Sequence, residues 1–465
     1  MEKTAQSADR TTQFGEDSIH VLMMRYSLPA IVAMLASTMF SIINMAFVGR
    51  SIGAPGIAAI AVCAPISMIQ GAIGQLIGNG CAAAVSISLG RGEREGAQTI
   101  LGCSVFYGLL VSFLNMTLGF LFTDVLLTAF GASASILPLA REYLQVTLIG
   151  MLCSIFSSMN PMLRIEGFPQ RAMMTQILMT VINVLLAPLF IFVFDMGIRG
   201  AALGSLCGQL ASSAWILSFL LHKDRTVRLE RKYIHPQAGM ISFVLQLGLP
   251  SFLMQLTQSL LSIVMNRSLG TYGGDLAISA WGVTNNINSV VAQPIFGLNQ
   301  AVQPIIGYNY GAKQYKRVRH ALLYSLSAAT VFSLAGWLVI RLFPEPILAF
   351  FNKDPDLIAI GSRMLIVFRM LIFVTGFQQA GAVYFQYSGK PKTSILLTLS
   401  RQVFILMPCV LILPRFFQFD GILYSGPISD VLSTIITGIF ILLELKRLDK
   451  LIKEEPFPAA DPALS

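Results

Sequence analysis

Charge is scarce in this chain. Lysine, arginine, aspartate and glutamate together make up 12% of the 465 residues, about half the share of a soluble domain. A water-facing surface cannot be covered with so little charge, so lipid must cover most of the molecule. Acidic residues are the scarcer sign, 23 against 32 basic ones, for a net charge of +9. That excess does not indicate nucleic acid, because the basic residues sit in short loops between apolar spans rather than in one patch. Paired cysteines are missing as well. Cys63, Cys81, Cys103, Cys153, Cys207 and Cys409 form no CxxC and all lie in apolar segments, which excludes a disulfide framework and a thiolate metal site. His20, His222, His235 and His320 are not at ligand spacing, so no zinc and no resident cofactor is expected. The N-terminus is polar for about twenty residues and shows no secretory h-region or cleavage site.

What the chain does have is hydrophobic length. It is 55% hydrophobic, with a mean hydropathy of +0.70. A hydrocarbon core of about 30 Å needs about 20 apolar residues per helix. Runs of that size lie near 24–48, 55–89, 97–123, 137–160, 172–194, 200–221, 241–269, 276–310, 320–342, 357–385, 393–414 and 421–444. The second and eighth are too long for one straight crossing and contain Pro65, Pro294 and Pro304, so bent, protruding helices are expected there. Most lysines and arginines fall on the side of the two termini. The other side holds Arg50, Arg141, Arg199, Arg267, Arg341, Lys353, Arg363 and Arg415. The bias predicts an even span count with both termini cytoplasmic.

The halves of the chain resemble each other. Leu28-Pro29 matches Leu249-Pro250 at an offset of 221 residues, which holds through Gly49/Gly270, Gly53/Gly274, Val62/Val283 and Gly90/Gly311. Arg164–Pro169 aligns with Gln386–Pro391 at 222, and Gly200/Gly421 and Ser212/Ser433 return to 221. Six helices followed by six of like orientation make a parallel repeat, related by an axis along the membrane normal. The fold class predicted is an all-α polytopic membrane protein of twelve transmembrane helices in two six-helix bundles. The expected parts are a cytoplasmic tail (1–22), a first lobe (23–221), a basic cytoplasmic linker (222–237), a second lobe (238–445) and a C-terminal tail (446–465). Alternating access between two such lobes is the mechanism this architecture suits, so a secondary transporter is predicted.

The residues that carry this pattern resemble the multidrug and toxic compound extrusion (MATE) family. They are the Leu-Pro openings of spans one and seven, IEGFPQRAMM (165–174), GIRGAALGS (197–205), FQYSGKPK (385–392) and GPISD (426–430). The similarity runs from about residue 20 to residue 445. It implies a cavity between two lobes and export of amphipathic organic cations, often drugs, from the cell by antiport with H⁺ or Na⁺. The chain departs from family members that carry coupling acids: Asn44, Ala187 and Gln258 stand at positions where some have carboxylates. An amide cannot take up and release a proton at physiological pH.

Polar residues at membrane depth need partners or a wet cavity. The candidate pathway residues are Asn44, Asn160, Asn183, Gln209, Gln258, Trp281, Asn285 and Gln378, together with the charged Arg369, Arg401 and Asp430. A single amide often serves only as glue between helices, at about 0.6 kcal/mol. The dense amide cluster of the second half (Asn285, Asn286, Asn288, Gln293, Asn299, Gln300, Gln303) is read as lining a cavity. Asp430 and Arg401 lie at similar depth on an antiparallel hairpin, with Arg369 nearby in span ten. They are predicted to pair, either as a structural clamp or as a proton- or cation-responsive switch. Glu166 is read as an exposed loop charge or a partner for Arg164 or Arg171. The alternatives weighed are a flippase for lipid-linked saccharides, an intramembrane enzyme and a channel. The first would line its cavity with Arg and Lys. The second would need a His, Ser/Lys or paired-acid constellation. The third would show a filter sequence. The protein is expected to be a monomer that is not an enzyme and binds no nucleic acid.

Overall fold

The computed structural model describes residues 10–351 and 354–454. Of the two expected tails, residues 1–9 and 455–465 lie outside the described residues, as does Lys353. A short helix α1 (10–16) leads into α2 (Ile19–Ser51), α3 (Ala54–Gly90), α4 (Arg94–Leu121), α5 (Thr123–Ala129), α6 (Leu137–Ser158), α7 (Asn160–Ile165), α8 (Pro169–Pro188) and α9 (Gly197–Leu221). After the linker come α10 (Ala238–Gly311), α11 (Tyr315–Leu342), α12 (Pro344–Phe351), α13 (Pro355–Arg363), α14 (Thr375–Tyr387), α15 (Pro391–Leu399), α16 (Met407–Ile412) and α17 (Pro414–Glu454). No strand occurs among the described residues. Prolines open α3, α6, α7, α8, α13 and α15, in first turns where the missing N–H has no intrahelical partner to lose.

These elements make twelve crossings. Ten helices are long and apolar enough to span a membrane, and α13 with α14 forms an eleventh, bent span. The twelfth comes from α10. Its 74 residues would reach about 110 Å as one rod at 1.5 Å per residue, and it turns at Gly274 (φ 70°, ψ −172°). Pro65, Pro294 and Pro304 lie inside continuous helices, and Gly274 is the only non-helical residue within α10. The tenth span differs from the unbroken 357–385 expected. It bends by 50° between Phe368 and Ile372. Trp337 Nε1 donates to the Met370 carbonyl there (2.8 Å), satisfying a backbone group that the break removes from the helix.

The repeat is written into the backbone. Residues with left-handed φ recur in register: Gly53 (74°) with Gly274 (70°), Gly92 (78°) with Lys313 (60°), Gly197 (53°) with Gln418 (51°), and Gly167 (86°) with Gly389 (74°). The first three pairs keep the 221-residue offset and the last keeps 222. Two of these turns use a side-chain-bearing residue, Lys313 and Gln418, in a conformation that costs about 1–2 kcal/mol outside glycine.

The halves share their main core at one end, and contacts between them continue along α3 and α10 as far as Met68 and Ser259, whose Oγ lies 3.2 Å from the Met68 sulfur. A single core at the end carrying Gly90, Gly311 and the linker draws on both, from Leu22, Val85 and Leu101 to Leu298, Ile306 and Tyr387. Backbones touch there. A Cβ on Gly90 would lie 2.0 Å from the Tyr308 carbonyl oxygen, and one on Gly311 would lie 2.1 Å from that of Ile87. Ile87 and Tyr308 are themselves repeat mates, so this contact is reciprocal, as a two-fold axis requires. Away from this end each core belongs to one half. Cys63, Leu127, Leu148 and Ala202 form one; Met265, Phe368, Leu406 and Leu423 form another.

Candidate functional site

A cleft of about 370 Å³ opens between α3, α6 and α9, lined by Gln70, Gln75, Asn79, Thr147, Ser157 and Gln209 among others. Its lining carries no charged side chain. Of the amides singled out in the sequence, Gln209 faces it. This places a polar cavity in the first half. In the second half Gln258 and Asn285 are exposed, while Asn299 and Gln303 are buried with side-chain oxygens that lack partners.

Two further buried amides lie in the first half. Asn44 is 9% exposed and Asn183 fully buried. Asn183 donates to Ser205 Oγ (3.0 Å), and neither amide oxygen has a partner. Residues four apart share a helix face. Asn44 therefore lies under Val48 and Asn183 under Ala187, and Val48 and Ala187 belong to one core. The two amides thus point to the same α2–α8 seam. Asn160 and Gln378 are engaged in packing. Asn160 donates to the Ala172 carbonyl and to Thr175 Oγ1 and accepts from Arg164. Gln378 donates to the Leu397 carbonyl (2.8 Å).

The predicted ion pair forms with one of its two possible partners. Arg401 Nε donates to Asp430 Oδ1 at 2.8 Å, with the side chains 14% and 2% exposed. Arg401 sits in a π-helical stretch, Ser400–Leu406. Arg369 follows another, Met364–Phe368, at the break in the tenth span. Such widened turns often mark functional positions. Arg369 is buried, its Nε has no partner, and its guanidinium lies over the rings of Phe368 (5.0 Å) and Trp281 (5.7 Å). Trp281 is buried edge-on against Phe368. One carboxylate thus serves two arginines, leaving a net positive charge inside the second half.

Glu166 overturns the reading of an exposed loop charge. It is 1% exposed, and its two carboxylate oxygens accept from the backbone N–H groups of Thr226 (3.0 Å) and Val227 (2.8 Å). The linker segment is therefore docked against the end of α7. Burial pushes this carboxyl up to about 7, against the opposing effect of the two N–H donors and of Arg225 and Arg94. Because the ionised form is disfavoured on folding, the stability from this site is complete below about pH 4.5 and falls as the pH rises to about 7. The change amounts to about 3 kcal/mol. The melting temperature of the purified protein is expected to drop between pH 5 and 8, and Glu166→Gln should flatten that profile. Parallel profiles for the two proteins would refute the assignment.

α1 bridges the two halves at their shared end. The Phe14 ring packs at a tilt against those of Tyr26 and Tyr308. Its carbonyl accepts from Asn309 Nδ2 and from Arg317, each at 2.9 Å, and Arg317 also reaches the Asp17 carbonyl. On the other side Arg10 lies against Gly167, which has positive φ; a Cβ there would lie 3.0 Å from the Arg10 Cβ and 3.2 Å from its carbonyl oxygen, closer than ordinary contact.

Comparison with known proteins agrees with this architecture. The MatE family model matches twice, over residues 29–189 and 250–411, so the repeat found within the chain is also the family's unit. The multidrug export protein MepA of Staphylococcus haemolyticus (strain JCSC1435) is 24% identical over 434 residues, 93% of this chain and 95% of its own. MepA of Staphylococcus aureus (strain MSSA476) is 24% identical over 94% of this chain and 96% of its own. Among solved structures, a MOP superfamily transporter from Pyrococcus furiosus matches with a TM-score of 0.89 at 24% identity, over 94% of this chain and 98% of that one. The MATE multidrug transporter DinF-BH matches with a TM-score of 0.85 at 32% identity, over 90% and 95%. With the family model covering most of both halves, and the twelve-helix, two-lobe fold shared along nearly the whole length, this chain is a multi-pass membrane transport protein that belongs to the MATE family.

Proposed function

We propose that this protein is a secondary active multidrug exporter that moves amphipathic organic cations out of the cell by antiport with H⁺ or Na⁺. It works as a monomer in the cell membrane with both termini cytoplasmic. Residues 23–221 and 238–445 act as the two rocking lobes, joined by 222–237. The observation that carries this reading is the division of the core, shared at the basic end and separate toward the other. Lobes that share a core on one side and keep separate cores toward the other suit an alternating-access cycle in which the shared end opens. The names of its relatives supply multidrug export, and the uncharged cleft with Gln209 suits weakly hydrated cations. Trp281, Gln258 and Asn285 are proposed to meet substrate when the lobes part. A flippase for lipid-linked saccharides fits less well, because the central cations reduce to Arg369 and Arg401, one of them neutralised by Asp430.

For coupling, two elements are proposed. The unpaired oxygens of Asn44 and Asn183 are hard donors of the kind that hold Na⁺, and Asp430 is the deep carboxylate that a proton would need. Ethidium efflux from energised cells, with the Na⁺ and H⁺ gradients collapsed separately, tests the function. Loss under one collapse names the ion, and efflux indifferent to both would refute antiport. Asn44→Leu is expected to reduce efflux about tenfold or more at normal expression, since an apolar group cannot replace the amide oxygen. Wild-type efflux from that variant would place the ion elsewhere.

A further inference from the structure

Three arginines from three separate segments converge on one aromatic pair at the basic end. Arg10 of α1 lies 4.5 Å from the centre of the Phe168 ring, Arg171 of α8 lies 5.0 Å from it, and Arg225 of the docked segment lies 4.4 Å from it. Arg225 and Arg171 also face Phe219, at 4.0 and 5.8 Å, and the two rings meet edge to face. Among the described residues none of the three arginines makes an ion pair. The nearest buried carboxylate, Glu166, spends both oxygens on the Thr226 and Val227 N–H groups, and Asp224 turns to His222. Arg225 Nε is enclosed without a partner. Burial, and then the facing Arg171 and Arg10, hold the Arg225 guanidinium below its usual range, with Glu166 and Asp224 opposing.

Like charges gathered on a small apolar floor repel one another unless an anion joins them. The aromatic rings supply part of the attraction through cation–π contact, but no counter-charge. We propose that Arg10, Arg171 and Arg225 form a binding site for a phosphate group at the membrane surface, with the headgroup of an anionic lipid as its source. Guanidinium forks match phosphate oxygens bidentately. The site lies where α8 begins and α9 ends, just beyond the apolar spans. Occupancy ties α1, the docked segment and the first half together, and so holds the bridge that α1 makes to Asn309 and Arg317.

Native mass spectrometry of the full-length protein, released from nanodiscs of phosphatidylglycerol or phosphatidylcholine, tests this. A parallel arm compares thermal shifts in sodium phosphate and in sodium chloride of equal ionic strength. The wild type is expected to retain one phosphatidylglycerol and no phosphatidylcholine. The triple change Arg10→Gln, Arg171→Gln, Arg225→Gln should weaken retention roughly tenfold or more. A control that removes three exposed charges at the same end (Lys316→Gln, Lys392→Gln, Lys446→Gln) should keep it. If the triple variant elutes aggregated, Arg171→Gln alone, on an exposed residue, should still weaken retention while Arg171→Lys restores part of it. A thermal shift in phosphate alone, lost in the arginine variants, supports the site with free phosphate as its source. Equal loss in the lysine control, or no difference between wild type and arginine variants with either ligand, overturns it.

Discussion

Asp430→Asn is expected to destabilise the protein by about 3–5 kcal/mol and to abolish efflux. The magnitude follows from what the substitution leaves behind. In the native protein Asp430 neutralises Arg401 at 2.8 Å, while Arg369 pairs with no carboxylate among the described residues. The group therefore carries one net positive charge, and the asparagine variant carries two at membrane depth. The double change Asp430→Asn with Arg401→Gln returns the net charge to one, so it should recover most of the lost stability. Thermal denaturation in detergent and efflux, measured on all three proteins, separate the two roles. If stability and transport both return, the pair is a clamp within the second half. If stability returns and transport stays lost, the carboxylate takes part in coupling. Wild-type behaviour of Asp430→Asn in both assays would remove this site from the mechanism and leave the amide oxygens of Asn44 and Asn183 as the ion path.

The Asp430–Arg401 pair was legible in the sequence because span lengths fix depth. Two residues at similar depths on an antiparallel hairpin must lie level, and in hydrocarbon opposite charges that lie level find each other. The repeat was legible for a related reason, since its turns fall at Gly53 and Gly274, where few other residues are tolerated. Other features left no mark. The stretch from Ser362 to Thr375 contains neither glycine nor proline, so nothing in it announces the 50° break that places Arg369. Glu166 bonds backbone N–H groups about sixty residues away, and backbone donors have no side-chain signature. The cleft of the first half holds Gln70, Gln75, Asn79 and Gln209, but their number did not announce it. Amide count measures polarity, while a cavity depends on where facing helices carry small residues such as Gly71, Gly74, Gly150 and Ser154. That is a property of pairs of helices and not of either one alone.

The contact that joins the halves also depends on small residues, and it makes the other large effect predictable. Gly248→Leu should open the shared end. A Cβ there would lie 1.8 Å from the Leu76 carbonyl oxygen, and on the reverse side Gly80 has the Val244 carbonyl oxygen 2.2 Å from its own Cβ position. These neighbours are backbone atoms, so relief requires moving one helix against another, at about 1–3 kcal/mol or more. The adjoining polar chain would part with it, since Asn79 donates to Ser251 Oγ at 3.2 Å and Gln386 donates to Ser251 and to the Leu247 carbonyl. Each half retains separate cores away from this end, so the variant should fold but fail to seal. Spin labels at the exposed positions Arg94 and Lys316, in a background without the six native cysteines, should report a longer distance, and efflux should fall at least about tenfold. Gly282→Leu is the matched control, on the same helix but with no atom within 4 Å of its Cβ position, and should leave the distance unchanged. If Gly248→Leu keeps both the native distance and native efflux, backbone contact is not what closes this end. The closure would then rest on the bridge from Phe14 to Asn309 and Arg317, and removing α1 would be the change that opens it.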